Sequence, residues 1–413
     1  MKIAVVGGGA AGMMAAIQAS GEDVVLLEKN EKLGKKLYIT GKGRCNVTNA
    51  CSEQQLLENI PRNARFMYSA FNTLSPQELC AMVEGLGIPL KTERGGRVFP
   101  VSDHSSDIIK AFAKGLAQCG VKVKLNTAVT DIAVKDGRIC GVQTDGGFIE
   151  CDRVILACGG CSYPQTGSDG GGFALARRLG HTVTPLYPAL VPVNTDDDYL
   201  RELQGLSLKN VTFNAYDGKK KLFSQQGELL FTHFGISGPL VLTYSSVMAG
   251  RDISKAKTYI DLKPALTQQQ LDNRLIRDFV SSGGKSLKNV ITGLVPACMR
   301  SVLLRAAGAD GDKRADQLSR EERAGIIKAL KFFPVHPVSL RGFSEAVITR
   351  GGINIKEVNP STMESRLVEG LYFAGEVLDV DAYTGGFNLQ IAWATGHLAG
   401  LSAAEENENE AHE

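Results

Sequence analysis

The chain has 413 residues, more than one compact core usually holds, so two or three folding units are expected. Hydrophobic residues at 43% and charged residues at 22% exclude disordered, coiled-coil and collagen-like classes. A formal net charge of +2 announces no global field for nucleic acid, although it leaves a local basic patch open.

The stretch Ile3 to Ser20 carries no charged residue, but four glycines interrupt it. A β-branched run opens it and an Ala/Met-rich half closes it, so it is expected to form strand, turn and helix and not a membrane span. Lys2 to Val6, the loop Gly7 to Gly12, a helix to Ala19 and a strand Val24 to Leu27 make one βαβ unit, the start of a doubly wound sheet. Ser52 to about Cys119 reads as mostly helical; Ser75-Pro76-Gln77-Glu78 supplies a cap, a first-turn proline and an acidic first turn. Arg94 to Pro100 interrupts it with a turn and a short strand. Three short apolar runs between Val121 and Ile149, separated by Asp136-Gly137 and Asp145-Gly146-Gly147, predict a β-meander. Val154 to Ala157 is then a buried parallel strand.

Strand patterning dominates from Val191 to about Leu262, helix from Pro264 to Phe333, and alternation returns over Val338 to Thr349. Gly370 to Ala374 is a strand leading into Gly375-Glu376, and Leu389 to Ala404 a helix followed by a solvated acidic tail, Glu405 to Glu413. No internal repeat is apparent. The expected class is α/β: a doubly wound, Rossmann-like domain of the glutathione-reductase type over 1–190 and 346–413, interrupted by a β-rich domain (191–263 and 334–345) that carries a helical subdomain (264–333).

Gly7-Gly8-Gly9-Ala10-Ala11-Gly12 fits G-x-G-x-x-G between a strand and a helix, with Glu28 closing the next strand and Lys29 after it. Gly7 permits the turn, Gly9 lets a phosphate reach the backbone, and Gly12 lets helix and strand pack. The N–H groups of Ala10, Ala11 and Gly12 face a pyrophosphate at the helix N-terminus, and Glu28 accepts from ribose hydroxyls. This loop alone does not separate FAD from NAD. The segment Gly375-Glu376-Val377-Leu378-Asp379, with Gly385-Gly386-Phe387-Asn388-Leu389-Gln390 opening the last helix, points to FAD. A helix N-terminus at Gly386 to Leu389 suits the negative charge of a reduced flavin, and Asp379 is placed for a ribityl hydroxyl.

These motifs are joined by Thr40-Gly41-Lys42-Gly43-Arg44-Cys45-Asn46-Val47-Thr48-Asn49, Gly96-Arg97-Val98-Phe99-Pro100, Leu230 to Pro239 and Thr362-Met363-Glu364-Ser365. Carrying them, the sequence resembles the BaiN/RdsA (YhiN-type) family of FAD-dependent oxidoreductases along essentially its whole length. The resemblance implies a flavin fold with an inserted β-rich domain, Arg44, Cys45 and Asn46 near the flavin, and backbone contacts from Val129 to adenine. Ala157-Cys158-Gly159-Gly160 stands where the family commonly has Ala-Thr-Gly-Gly; Ala157 and Gly159 are expected at the cofactor, while a hydroxyl role is absent.

Nine scattered cysteines, an odd number in a chain too large to need stapling, read as reduced thiols of a cytoplasmic protein. Cys158-Gly159-Gly160-Cys161 raises a disulfide-oxidoreductase reading, but no second G-x-G-x-x-G provides a stable nicotinamide domain. No second pair at ligand spacing supports a metal site. Cys45, flanked by Lys42 and Arg44, is either a poised thiol or a packing thiol, and His233 and Tyr383 are further proton-donor candidates. The basic stretch Arg314 to Lys331 is interleaved with Glu and reads as a solvated face, with RNA contact as its rival.

The resemblance implies reduction of a carbon-carbon double bond conjugated to a carbonyl: in a 3-oxo bile acid or similar steroid enone, with NAD(P)H as a transient electron donor, or in uridine of ribosomal RNA. An oxygen-using amine oxidase is the remaining enzyme class considered.

Overall fold

The protein, seen here as a computed structural model, is described for residues 1–405; the acidic tail beyond Glu405 lies outside them. Two compact units emerge, Met1–Pro188 with Phe343–Glu413, and Ala189–Gly342. No helix among the described residues is long and apolar enough to cross a membrane.

The first unit is built on a five-stranded sheet in the order Leu371–Phe373, Arg153–Leu156, Lys2–Val6, Asp23–Leu27, Lys122–Lys124. Every pairing is parallel, with Val6 between Leu156 and Leu27. Strands of a parallel sheet are covered on both faces, which is why Ile3, Ala4, Val154, Ile155 and Leu156 are fully buried and run without polar alternation. Helix Ala10–Gln18 packs on the last helix, Phe387–Ala404. That approach is close because it is made through glycine: a Cβ on Gly396 would come within 2.3 Å of the Ala11 carbonyl oxygen, and one on Gly400 within 2.4 Å of that of Ala15. Trp393 stacks on Phe112 at 4.6 Å and donates its indole N–H to the Val47 carbonyl, tying the last helix to the Arg44–Asn46 loop. Such an aromatic pair adds about 0.5–1.5 kcal/mol beyond its buried area.

The helical stretch after Ser52 forms as expected, with capping boxes at Ser52/Gln55 and Ser75/Glu78. The expected three-run meander forms at both predicted turns, as Val129–Lys135, Arg138–Thr144 and Gly147–Glu150; only the start of its range differs, because Lys122–Lys124 joins the parallel sheet beside Asp23–Leu27. Val123 pairs there with buried Leu26, at the edge of the sheet.

The second unit holds a seven-stranded antiparallel sheet in the order Phe333–Val335, Lys257–Asp261, Ser207–Asp217, Lys220–Thr232, Gly235–Ser237, Val193–Thr195, Pro337–Leu340. Its inner face (Phe213, Ala215, Phe223, Ile260) shares a core with helices Gln268–Val280, Arg300–Ala307 and Arg320–Lys331. Helix Pro239–Met248 departs from the all-strand expectation for this region; Gly238 and a first-position proline start it, and its apolar residues fill the core from Leu240 to Met248. In the basic stretch, Arg314 pairs with Asp316, Arg323 with Asp272 and Lys331 with Asp261, so three of its cations are neutralised within the unit.

Candidate functional site

The glycine loop sits where the sequence places it. Gly7 (φ 106°) donates to the Leu27 carbonyl, and a Cβ there would lie 2.6 Å from the Ala157 oxygen, so loop and neighbouring strand close on one another. Gly9 caps helix Ala10–Gln18 without a side-chain acceptor; the first intrahelical bond is Met13 N–H to Gly9, so the N–H groups of Ala10, Ala11 and Gly12 lack helical acceptors. Nothing lies within 4 Å of a Cβ built on Gly9, whereas one on Gly12 would meet the Gly7 oxygen at 1.8 Å. Open space above free N–H groups and close packing beneath them is what a pyrophosphate needs.

Glu28, only 7% exposed, accepts from the Gly8 N–H at 2.7 Å and, through its other oxygen, from the Asn30 N–H at 2.8 Å and the Asn30 side-chain amide at 2.6 Å. A carboxylate has about four acceptor sites, so one ribose hydroxyl remains within its capacity. Thr127 N–H bonds the Glu28 carbonyl, which carries the chain alongside Glu28 toward half-buried Val129. Lys29 is held by Asp169 at 2.7 Å. Gly159 (φ 74°) turns the chain after Ala157 beside Ser168.

The C-terminal segment converges on the same place: a Cβ on Gly375 would touch that of Ala11 at 2.8 Å. Helix Phe387–Ala404 starts at Gly386 (φ 100°), again with no side-chain cap and no acidic residue in its first turn. Asn46, with its amide turned to donate to the Val98 and Thr48 carbonyls, accepts the Gly386 N–H at 2.9 Å. Asn388 clamps its own loop, accepting from Ala382 N–H and donating to the Ala382 carbonyl, both at 2.8 Å; the backbone N–H groups of Asn388 and Leu389 have no helical acceptor.

Two ion-pair centres here were not foreseen. Glu376 receives Lys36 Nζ (2.5 Å), Ser162 Oγ (2.6 Å) and the Thr349 N–H (2.8 Å). Arg62 bridges Asp379 (2.7 Å) and Asp381 (3.1 Å), two carboxylates 7% and 1% exposed. Asp379 is therefore engaged by a guanidinium where a ribityl hydroxyl alone was expected. Burial pushes the Asp381 carboxyl up against the opposing pull of Arg62, and its second oxygen has no partner.

The catalytic candidates separate. Cys45 is fully buried and burial pushes its thiol up to about 12, so the poised-thiolate alternative is corrected to a packing thiol. The reason is geometric: Arg44 turns to Glu93 and Asp103 and lies over the Phe99 ring at 4.1 Å. Tyr383 is half-buried, its hydroxyl raised first by burial and then by Asp381, so it keeps its proton. His233 belongs to the second unit, exposed in the turn between two strands and edge-on to Phe234. Cys158 and Cys161 are both free, and burial drives the Cys158 thiol up to about 12, against a nucleophilic role.

The donor set fits FAD: two helices open with free N–H groups, one beside a ribose-type carboxylate, and open space stands over Gly9. Gly9, Ala10, Ala11 and Gly12 would hold the pyrophosphate, Glu28 the ribose, and the N–H groups of Asn388 and Leu389 the flavin carbonyl. Comparison with known proteins agrees. A 3-dehydro-bile acid delta(4,6)-reductase of Clostridium scindens is 34% identical over 98% of this chain and 99% of its own. A ribosomal RNA dihydrouridine synthase of Escherichia coli is 30% identical over 95% of both chains. The solved structure of the open conformation of a flavocytochrome c3 fumarate reductase superposes with a TM-score of 0.51 at 19% identity, covering 98% of this chain and 78% of that one, which is a likeness of fold. The model of the HI0933-like protein Rossmann domain matches residues 1–402: the chain belongs to this family and is a flavin-dependent oxidoreductase.

Proposed function

We propose that the protein reduces a carbon-carbon double bond conjugated to a carbonyl, with a steroid-like 3-oxo enone as acceptor, bound FAD and NAD(P)H as the electron source. The observation that carries this reading is the pair of uncapped helix N-termini at Gly9 and Gly386, together with end-to-end similarity to a bile-acid enone reductase. FAD, when bound, supplies hydride to the electron-poor carbon. The chain's part is to hold it: N–H groups of the last helix favour the electron-rich state, and Asn46 fixes the helix start that carries them. Tyr383, protonated across the neutral range, is a proton source for the α carbon.

A second reading, reduction of uridine in RNA, is favoured by one face of the second unit. Tyr216 and Tyr259 stack with centroids 6.1 Å apart and planes within 5°, and Phe332 meets Tyr259 at 5.0 Å. Strand register sets Lys221 and Lys257 level with Tyr216 on that face, beside exposed Lys219 and Lys220. Aromatic rings among lysines stack bases and hold phosphates.

The deciding experiment photoreduces the flavin without oxygen and offers, separately, a dienone steroid, a uridine-containing rRNA fragment, and oxygen. Rapid reoxidation by the steroid is expected; reoxidation by neither organic acceptor overturns the proposal, and reaction with oxygen alone points to an oxidase. RNA binding, if it drives turnover, weakens steeply between low and moderate salt.

A further inference from the structure

The second unit contains a cavity that the flavin chemistry does not use. It has a volume of about 280 Å³; Leu208, Val211, Leu262 and Val295 line it, with half-buried Lys263 and exposed Lys209 in its wall. The volume lies just below the about 300–1,000 Å³ of small-molecule pockets, which suits one slender chain.

Its shape follows from a defect in the sheet. Strand Ser207–Asp217 breaks register between Leu208 and Val211, and Asn210 there adopts φ 57°. A bulge of this kind bends the strand and opens the surface beneath it. The opposite wall is Leu262-Lys263, held rigidly: Leu262 N–H bonds the Leu330 carbonyl, and Lys331 Nζ donates to the carbonyls of Lys263 (3.1 Å) and Leu266 (2.8 Å).

Charge is unbalanced at that wall. The nearest carboxylate on the strand, Asp261, is taken by Lys331 at 2.6 Å and by the Lys263 backbone N–H at 2.9 Å. No carboxylate pairs with the Lys263 ammonium among the described residues; its charged neighbour is another cation, Arg274, and that residue's own partner is Asp278 at 3.5 Å. Burial and Arg274 together hold Lys263 below the ordinary amine range. A half-buried cation against an apolar wall, with its local anion already committed, is electrostatically incomplete.

We propose that this cavity binds an amphipathic monocarboxylate, its chain against Leu208, Leu262 and Val295 and its carboxylate on Lys263. The site is independent of the flavin reading, since every residue in it belongs to the second unit.

The test uses decanoate and the FAD-loaded enzyme in isothermal titration. Saturable binding is expected, weakened about tenfold or more by Lys263→Gln, restored by Lys263→Arg, and equally weak for decan-1-ol. Decanoate is also expected to protect Lys263 from an amine-acylating reagent, read by peptide mass spectrometry. No saturable binding at millimolar decanoate, undiminished binding in Lys263→Gln, or acylation unaffected by decanoate overturns the proposal. Each of these reads the second unit alone, so failure leaves enone reduction untouched.

Discussion

Asn46 and Gly386 are joined by a hydrogen bond, 2.9 Å from the Gly386 N–H to the Asn46 side-chain oxygen, that fixes the start of the last helix to the loop after Arg44. A Cβ on Gly386 would sit 2.4 Å from the Thr48 carbonyl oxygen, so the two segments are in contact along their length. Asn46→Ala leaves the Gly386 N–H without its acceptor and removes the amide's donation to the Thr48 carbonyl, while the Val98 carbonyl keeps the Val47 N–H. Unsatisfied buried groups cost about 1–3 kcal/mol, so FAD affinity is expected to fall about 10- to 100-fold. Flavin fluorescence titration reads the effect; unchanged affinity would show that the helix start is held by other contacts.

Gly9 permits a cleaner separation of fold from ligand. Its φ of −81° is open to any residue and a Cβ there has free space, so Gly9→Ala is expected to leave thermal unfolding of the flavin-free protein nearly unchanged. The added methyl occupies the phosphate's approach, and FAD affinity should drop about tenfold or more. Equal affinity in the variant places the pyrophosphate elsewhere.

The Lys36–Glu376 pair, with side chains 22% and 12% exposed, predicts a coupled stability effect. Lys36→Met leaves a shielded carboxylate without its cation, at a cost of about 3 kcal/mol, the lower end for a broken buried pair. Adding Glu376→Gln should recover part of that loss. Urea unfolding of the four proteins closes the double-mutant cycle, and strict additivity would deny the coupling.

His181 gives stability a pH dependence. Ser365 Oγ already accepts from the N–H groups of Leu367 and Val368, so it donates to His181 Nε2 at 2.9 Å, which requires a neutral ring. Burial lowers the histidine below 6.5, against the smaller opposing pull of Glu357. The unfolded chain therefore takes up the proton first, and folding stability is present above 6.5 and declines as pH falls below it, down to the depressed folded value. His397, lowered by burial with Glu78 opposing, acts in the same sense. His181→Gln should shrink the loss of stability between about pH 7.5 and 5.5 in guanidinium titrations; an unaltered slope assigns it to other groups.

The parallel sheet, both glycine turns and the place of the insertion were legible because each is written locally: β-branched runs, glycines at fixed offsets, a helix opening at once. What escaped was long-range. Nothing near Lys36 announces Glu376, nor anything near Arg62 the Asp379 and Asp381 carboxylates, since the partners meet only through folding. Cys45 was read ambiguously because sequence places Arg44 beside it, while φ 58° at Cys45 turns the two side chains to different surroundings. The meander's turns are legible in the sequence, but its start at Val129 is not, because the alternation of Lys122–Lys124 does not say which neighbour it pairs with.

In the second unit the strands Val193–Thr195 and Pro337–Leu340 pair antiparallel, Val193 opposite Leu340, so the chain enters and leaves through one ladder. An insertion tied off at its neck in this way closes on a core of its own. A substitution in its loops, cavity or outer face therefore leaves the register of Val6 with Leu156 and Leu27 unperturbed, and the two cores answer separately to change within one polypeptide.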